Sequence, residues 1–265
     1  MGQIRRQRHA KNPDASLGTT GGLWCNSRLF DERCQQVAYR RRHQNRRRLQ
    51  HFLVTRSRSL SQTSLFESTR IEEFDLPGAD IVLHRGVWDH TEGDFLCQQL
   101  IHELEWRQDK ISMFGRVHDV PRLNAWYGDP DCSYSWSGIE MHPTEWTSNL
   151  TIIRQRVIEL AGEEFNSVLA NLYRDGADKV DWHADDEQVL GLTPIIASVS
   201  LGTSRKFRMR RKDRSLTTTD IVLNSGDVLI MRGSTQQLWE HEVPRSKVVK
   251  EPRVNLTFRK VMPTG

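Results

Sequence analysis

Cysteine is scarce in this chain, four in 265 residues, and none of the four stands in a CxxC pair or at zinc-ribbon spacing. Cys25, Cys34, Cys97 and Cys132 therefore argue against a disulfide scaffold and a thiolate metal site, and for a reducing compartment. Long apolar runs are missing too. None approaches the roughly 18 residues that a membrane span requires, so no membrane association is expected. No apolar segment follows the charged N-terminus, so no secretory leader is expected either. Acidic residues are nearly absent from one stretch: residues 1–60 hold Asp14, Asp31 and Glu32 against 14 Lys and Arg, a net charge of +11. The whole chain is only +4, so residues 61–265 carry −7 and the basicity belongs to the opening segment. With 37% hydrophobic residues, low for a chain packed throughout, residues 1–70 read as a basic, disordered extension and 71–265 as the folded domain. Such an extension can hold phosphates through counterion release, stay solvated, or serve as an Arg-rich transit peptide.

The folded part opens near Pro77-Gly78 with the β-like run Ile81 to Leu83. Apolar residues at helical spacing predict a helix from Thr91 to Trp106 and a second over Ile152 to Leu160. Seven short apolar segments follow between Phe165 and Phe258, separated by turns such as Asn224-Ser225-Gly226-Asp227. That order predicts an α+β fold, a jelly roll of short strands buttressed by helices on one side.

His183 and Asp185 stand two apart, so in an extended segment both side chains point the same way, and His241 lies in a later strand. Two imidazoles and one carboxylate leave coordination positions open, as Fe(II) oxygenases need, although the same set also serves zinc hydrolysis and an HxD alone also matches a polar turn. A place for a dicarboxylate separates these readings. Arg253-Val-Asn-Leu-Thr-Phe-Arg259 alternates strictly, with Arg253, Asn255, Thr257 and Arg259 on one face. Turned to water, that face is an ordinary polar surface; turned inward, it brings two guanidinium forks beside the metal. Spaced 12 residues after His241, the strand is expected to return antiparallel to the strand of that histidine. Asn171 and Tyr173 put an amide and a phenol on one face of another strand.

Asn171-Leu-Tyr-Arg-Asp-Gly, His183-Ala-Asp185, Ile196-Ala-Ser-Val-Ser-Leu-Gly202, His241 and Arg253 to Arg259 together resemble the AlkB family of nucleic-acid dealkylases, over about Leu76 to Lys260. The resemblance implies a double-stranded β-helix, with Fe(II) held by His183, Asp185 and His241 and 2-oxoglutarate held by Asn171, Tyr173, Arg253, Asn255 and Arg259. It implies that O2 and 2-oxoglutarate are consumed to hydroxylate an N-alkyl carbon, giving succinate, CO2 and, from a methyl group, formaldehyde. It also implies alkylated DNA as substrate, with 1-methyladenine and 3-methylcytosine as lesions and RNA as the alternative.

Residues 107–140 are similar to the lid of the DNA-repairing members. Phe114 is the candidate wedge into a base stack, or else the buried anchor of a loop. Tyr134 and Trp136, with Ser137, match the pocket for a flipped base; Glu187 would face the exocyclic group of the base, and Arg122 belongs to the same substrate region. Arg205, Lys206, Arg208, Arg210, Arg211 and Lys212 form a basic run expected to face outward, for phosphates or simply for water. Gln62-Thr-Ser-Leu-Phe66 resembles the peptide with which bacterial proteins dock on the sliding clamp, and is otherwise a linker. A monomer is expected, in the nucleoid or cytoplasm of a bacterium or in a eukaryotic nucleus. Two rivals stay open: an oxygenase of this fold acting on protein or small molecules, and a catalytically silent nucleic-acid binding module.

Overall fold

The computed structural model describes residues 70–113, 116–132, 134–136, 139–141 and 143–262, and these form two facing sheets with helices on one outer side. The larger sheet runs in the order β1 (Arg70–Glu73), β2 (Asp80–Arg85), β13 (Asp227–Arg232), β10 (Ile196–Gly202), β15 (Arg253–Arg259), β8 (Ser167–Tyr173) and β5 (Leu123–Gly128). The smaller runs β12 (Thr219–Leu223), β11 (Arg205–Arg211), β14 (Trp239–Val243) and β9 (Val180–His183). Two hairpins stand apart, β3 (Lys110–Met113) with β4 (Arg116–Asp119), and β6 (Tyr134–Trp136) with β7 (Ile139–Met141). From β8 onward the chain steps from one sheet to the other at almost every strand, the β11–β12 hairpin excepted, which is the winding of a double-stranded β-helix.

Alternating side chains explain the layers. On the outer face of the larger sheet, Val168, Ala170 and Leu172 of β8 and Val254, Leu256 and Phe258 of β15 pack against two helices. Helix α1 (His90–Glu103) brings Leu96, Cys97 and Leu100, and α2 (Ser148–Ala161) brings Leu150, Ile153 and Val157. The inner faces of the two sheets enclose a second cluster with Leu83, Leu229 and Met231 opposite Phe207, Met209 and Trp239. Caps set the helix starts: Asp89 and Glu92 form a capping box ahead of α1, and the Thr147 hydroxyl accepts the Leu150 N–H ahead of α2. Gly162 ends α2 at φ 66°, a left-handed conformation that costs glycine nothing. The apolar stripe alone placed this helix four residues late, because its first turn is set by the cap. A four-residue helix, α3 (Thr235–Leu238), leads into β14. No helix among the described residues is long and apolar enough to cross a membrane.

All seven strands expected between Phe165 and Phe258 are present, but the last lies elsewhere than expected. Instead of returning beside β14, β15 pairs with β10 and β8 in the opposite sheet, because the chain crosses the sandwich after His241. Its polar face thus looks across the gap at the strand that carries His241. Nor does one strand carry both His183 and Asp185: β9 ends at His183, and Asp185 lies in the irregular segment that follows.

Candidate metal centre and anion pocket

His183 and His241 are cross-strand partners of β9 and β14, with ring centroids 4.3 Å apart. The Nδ1 of His183 lies 2.7 Å from the Asp181 carbonyl; a proton there donates to it and leaves the Nε2 lone pair for a ligand. Burial, then the neighbouring His183, pushes the His241 imidazole down to about 3, so it is neutral at pH 7 and able to donate its lone pair. Asp185 is buried with one oxygen 3.8 Å from His241 Nε2 and the other bonded by Arg259. Burial alone would raise its carboxyl; Arg259, His241 and His183 together outweigh that and hold it below the ordinary range. Its backbone N–H donates to Gln236 Oε1 at 2.9 Å, so the buried amide on α3 fixes the segment that carries the carboxylate.

Beside these groups, β15 meets β8 with Arg253 opposite Tyr173 and Asn255 opposite Asn171. Every one of these side chains is buried. Asn255 Nδ2 donates to Ser198 Oγ at 2.8 Å, and Arg253 Nη2 donates to Ser200 Oγ at 2.9 Å. Arg253 is 1% exposed, yet its Nε and Nη1 have no hydrogen-bond acceptor among the described residues, and neither has Nε of Arg259. A buried guanidinium without acceptors is costly, so orphans of this kind mark the place of an anion. They border a cavity of about 180 Å³ whose walls include all three candidate ligands together with Asn171, Tyr173, Arg253, Asn255 and Arg259.

Arg122 and Glu187 also line this cavity, and with Leu169 and Arg259 they form the wall it shares with a larger one of about 480 Å³, where Trp126, Leu190, Glu105 and Asp109 are found. Arg122 was assigned to the substrate; in the structure its Nε donates to Asn171 Oδ1 at 2.7 Å, tying the β4–β5 connection to the anion pocket. Tyr134 and Trp136 lie on β6, whereas Phe114, Ser137 and Gln62 to Phe66 lie outside the described residues. The basic run needs correction. Arg205 is 3% exposed and turns inward, because odd positions of β11 face the core. The others are ion-paired within the fold: Lys206 and Arg208 with Asp220, Arg208 also with Glu242, Arg210 with Glu240, Arg211 with Asp213 and Lys212 with Asp186. Ser198, Ser200 and Gln236 escaped the sequence reading; only the alternation in Ile196 to Gly202 could have flagged the two serines.

A profile of the 2OG-Fe(II) oxygenase superfamily matches residues 80–259. Mouse DNA oxidative demethylase ALKBH2 is 42% identical over 184 residues, which cover 66% of this chain and 77% of that protein. The chain belongs to the AlkB family. Human alpha-ketoglutarate-dependent dioxygenase alkB homolog 3 is 42% identical over 192 residues, 69% of this chain and 66% of that protein. The chain thus spans just under two thirds of the length of that relative. The structure of OsALKBH1 shares the fold, with a TM-score of 0.50 at 21% identity over 72% of this chain and all of that one. For an AlkB-family chain the implied groups are Fe(II) and 2-oxoglutarate, and the residues fit both. Two imidazoles and a carboxylate suit a ferrous ion, and the orphaned guanidinium nitrogens suit a dicarboxylate.

Proposed function

We propose that this protein oxidatively demethylates N-alkylated bases in DNA, 1-methyladenine and 3-methylcytosine in particular, as a repair enzyme. The observation that carries the reading is the shared wall: the cavity holding the candidate ligands adjoins, through Arg122, Leu169, Glu187 and Arg259, a second cavity large enough for an extruded base. His183, Asp185 and His241 would hold Fe(II), and Asn171, Tyr173, Arg253, Asn255 and Arg259 would hold 2-oxoglutarate. Iron, 2-oxoglutarate and O2 supply the oxidation of the N-methyl carbon, which ends in succinate, CO2 and formaldehyde. The protein's own share is placement. Arg259 holds Asp185 in orientation, and Gln236 holds its backbone. N-methylation at these ring positions makes the base a cation; the cavity that would receive it is lined by the carboxylates of Glu105, Asp109 and Glu187 and also by Arg107, Lys110, Arg122 and Arg259.

In this reading the catalytic domain is 71–265, with 107–140 as the lid, Phe114 as wedge and Tyr134, Trp136 and Ser137 facing the base; residues 1–70 are a basic extension. The protein works as a monomer with the genome, in the nucleoid or the nucleus. Gln62–Phe66 docks on a sliding clamp, a role that fails if a Gln62→Ala, Phe66→Ala variant is retained on immobilised clamp as well as the parent. Formaldehyde release and mass loss from a short DNA carrying 1-methyladenine, single-stranded and duplexed, test the main reading. Loss of the methyl group that disappears in His183→Ala supports it. Turnover of 2-oxoglutarate with the methyl retained on DNA, but lost from RNA, moves the assignment to RNA.

A further inference from the structure

Arg205 opens β11 on its inward face, two residues before Phe207, whose ring stacks 5.0 Å from that of His241. Its guanidinium is held by three carbonyls, those of Asp175 at 3.1 Å, Asp178 at 2.8 Å and Pro244 at 2.7 Å. Neutral acceptors satisfy its protons, while two carboxylates, Asp175 and Asp178, act on its charge through space, the first with an oxygen that accepts the Ala177 N–H. The adjacent carboxylate, Asp178, is instead engaged by Arg174, which donates to it from Nε and Nη2 and from its backbone N–H. The cradle is stiff. Ser246 N–H donates to the Gly176 carbonyl at 2.7 Å and Gly176 N–H to that of Val249 at 3.1 Å, and a Cβ on Gly176 would collide with the Ser246 carbonyl. Both Arg205 and Arg253 lie against Tyr173, with Cζ atoms 5.4 and 5.2 Å from its ring centroid, so the two guanidinium groups are at most about 11 Å apart. Arg253 feels that neighbour: burial first, then Arg205, presses its pKa down, against Tyr173.

We propose that Arg205 is a specificity-determining residue, a fixed second positive charge behind Tyr173 that makes the anion pocket select 2-oxo acids bearing a distal carboxylate. The proposal rests on the cosubstrate reading given above. Arg205 touches no ligand; it acts through space. A preorganised charge of this kind contributes to the affinity for a second carboxylate and very little to that for a 2-oxo acid that ends in a methyl group.

The test is calorimetry on the full chain loaded with Mn(II), titrated with 2-oxoglutarate and with 2-oxobutyrate, which lacks the distal carboxylate. Arg205→Gln keeps amide donors for the carbonyls and removes the charge. We expect it to weaken 2-oxoglutarate binding roughly tenfold, the order of magnitude for one charge acting over about 10 Å at an effective dielectric near 20, and to leave 2-oxobutyrate binding within about twofold. Arg205→Lys, which keeps the charge, retains most of the preference, and it still decides the matter if the glutamine variant does not fold: preference lost in Arg205→Lys with an unchanged melting temperature overturns the proposal. Equal losses for both acids in Arg205→Gln mean a purely structural role and also overturn it, as does no loss at all. Wild-type protein that binds no 2-oxoglutarate sinks the cosubstrate reading, and this inference with it.

Discussion

Two strands of this protein are written with the same alphabet and used in opposite ways. Both β15, Arg253–Arg259, and β11, Arg205–Arg211, set polar residues, arginines among them, between apolar ones. In β15 the apolar face meets the helices and the arginines point between the sheets, where Arg253 keeps two nitrogens without an acceptor among the described residues. In β11 the apolar residues Phe207 and Met209 point between the sheets, and Arg208 and Arg210 point out to Asp220, Glu240 and Glu242. The strands differ in what lies behind them. The larger sheet has helices on its outer side, so the apolar face of β15 is claimed there and its polar face is left to line a ligand cavity. The smaller sheet has water behind it, and its charges find partners locally. Arginine count therefore says little about binding; an arginine that is buried and unsatisfied says a great deal.

The most damaging way to break this arrangement is on the apolar face. Phe258 is fully buried and sits 6.3 Å from the Trp146 ring and 6.2 Å from that of Phe165. Phe258→Ala is expected to cost about 3–5 kcal/mol of stability, read as a lowered urea midpoint with an unchanged slope. A loss below about 1 kcal/mol would mean that the helices do not hold this face. On the other face of the strand the expected sign is reversed. Arg253→Met should weaken 2-oxoglutarate binding by about 100-fold or more, while the melting temperature of the ligand-free protein stays level or rises, because an uncompensated buried charge is removed. A fall in melting temperature with 2-oxoglutarate binding intact would make Arg253 a structural residue. Next in size, Gln236→Leu removes the acceptor of the Asp185 N–H and should weaken Mn(II) binding about tenfold, with little effect on binding of 2-oxoglutarate analogues that do not reach the metal.

Much of this was legible in the sequence, for reasons that differ from element to element. Strict alternation exposed β15, and two-residue spacing brought Asn171 with Tyr173 and drew attention to His183 and Asp185, because a strand fixes which neighbours share a face. Which sheet a strand joins is not written in its own residues, and so β15 was expected beside β14. The spacing of 12 residues from His241 allows a hairpin return as readily as a crossing of the sandwich. β5 went unseen for another reason. Leu123 to Gly128 holds buried Asn124 beside Ala125 and Tyr127, and no period survives where both faces are covered. Gln236 and Arg205 were beyond reach, since one acts through a backbone amide 51 residues away and the other through three carbonyls from two distant loops.

The smallest expected effect is also the one that tests the comparison of the two strands most directly. If outward charges on β11 are neutralised within the fold, they contribute little to phosphate binding, since an arginine already paired with a carboxylate must give up that partner to take another. Arg208 and Arg210 serve this test because both also lie near Trp182, Arg210 at 3.8 Å and Arg208 at 5.7 Å from the ring centroid, which further restrains them. Arg208→Ala and Arg210→Ala break part-buried pairs with Glu242 and Glu240 and are each expected to cost about 1 kcal/mol of stability, at the upper end for surface ion pairs. The slope of log affinity for undamaged single-stranded DNA against log salt should change by well under one for each. A slope that drops by about one per substitution would show these arginines leaving Asp220, Glu242 and Glu240 for phosphates on binding. The outer face of the smaller sheet would then belong to the DNA path, and the contrast between β11 and β15 would be one of timing, a partner held until DNA arrives against a partner awaited.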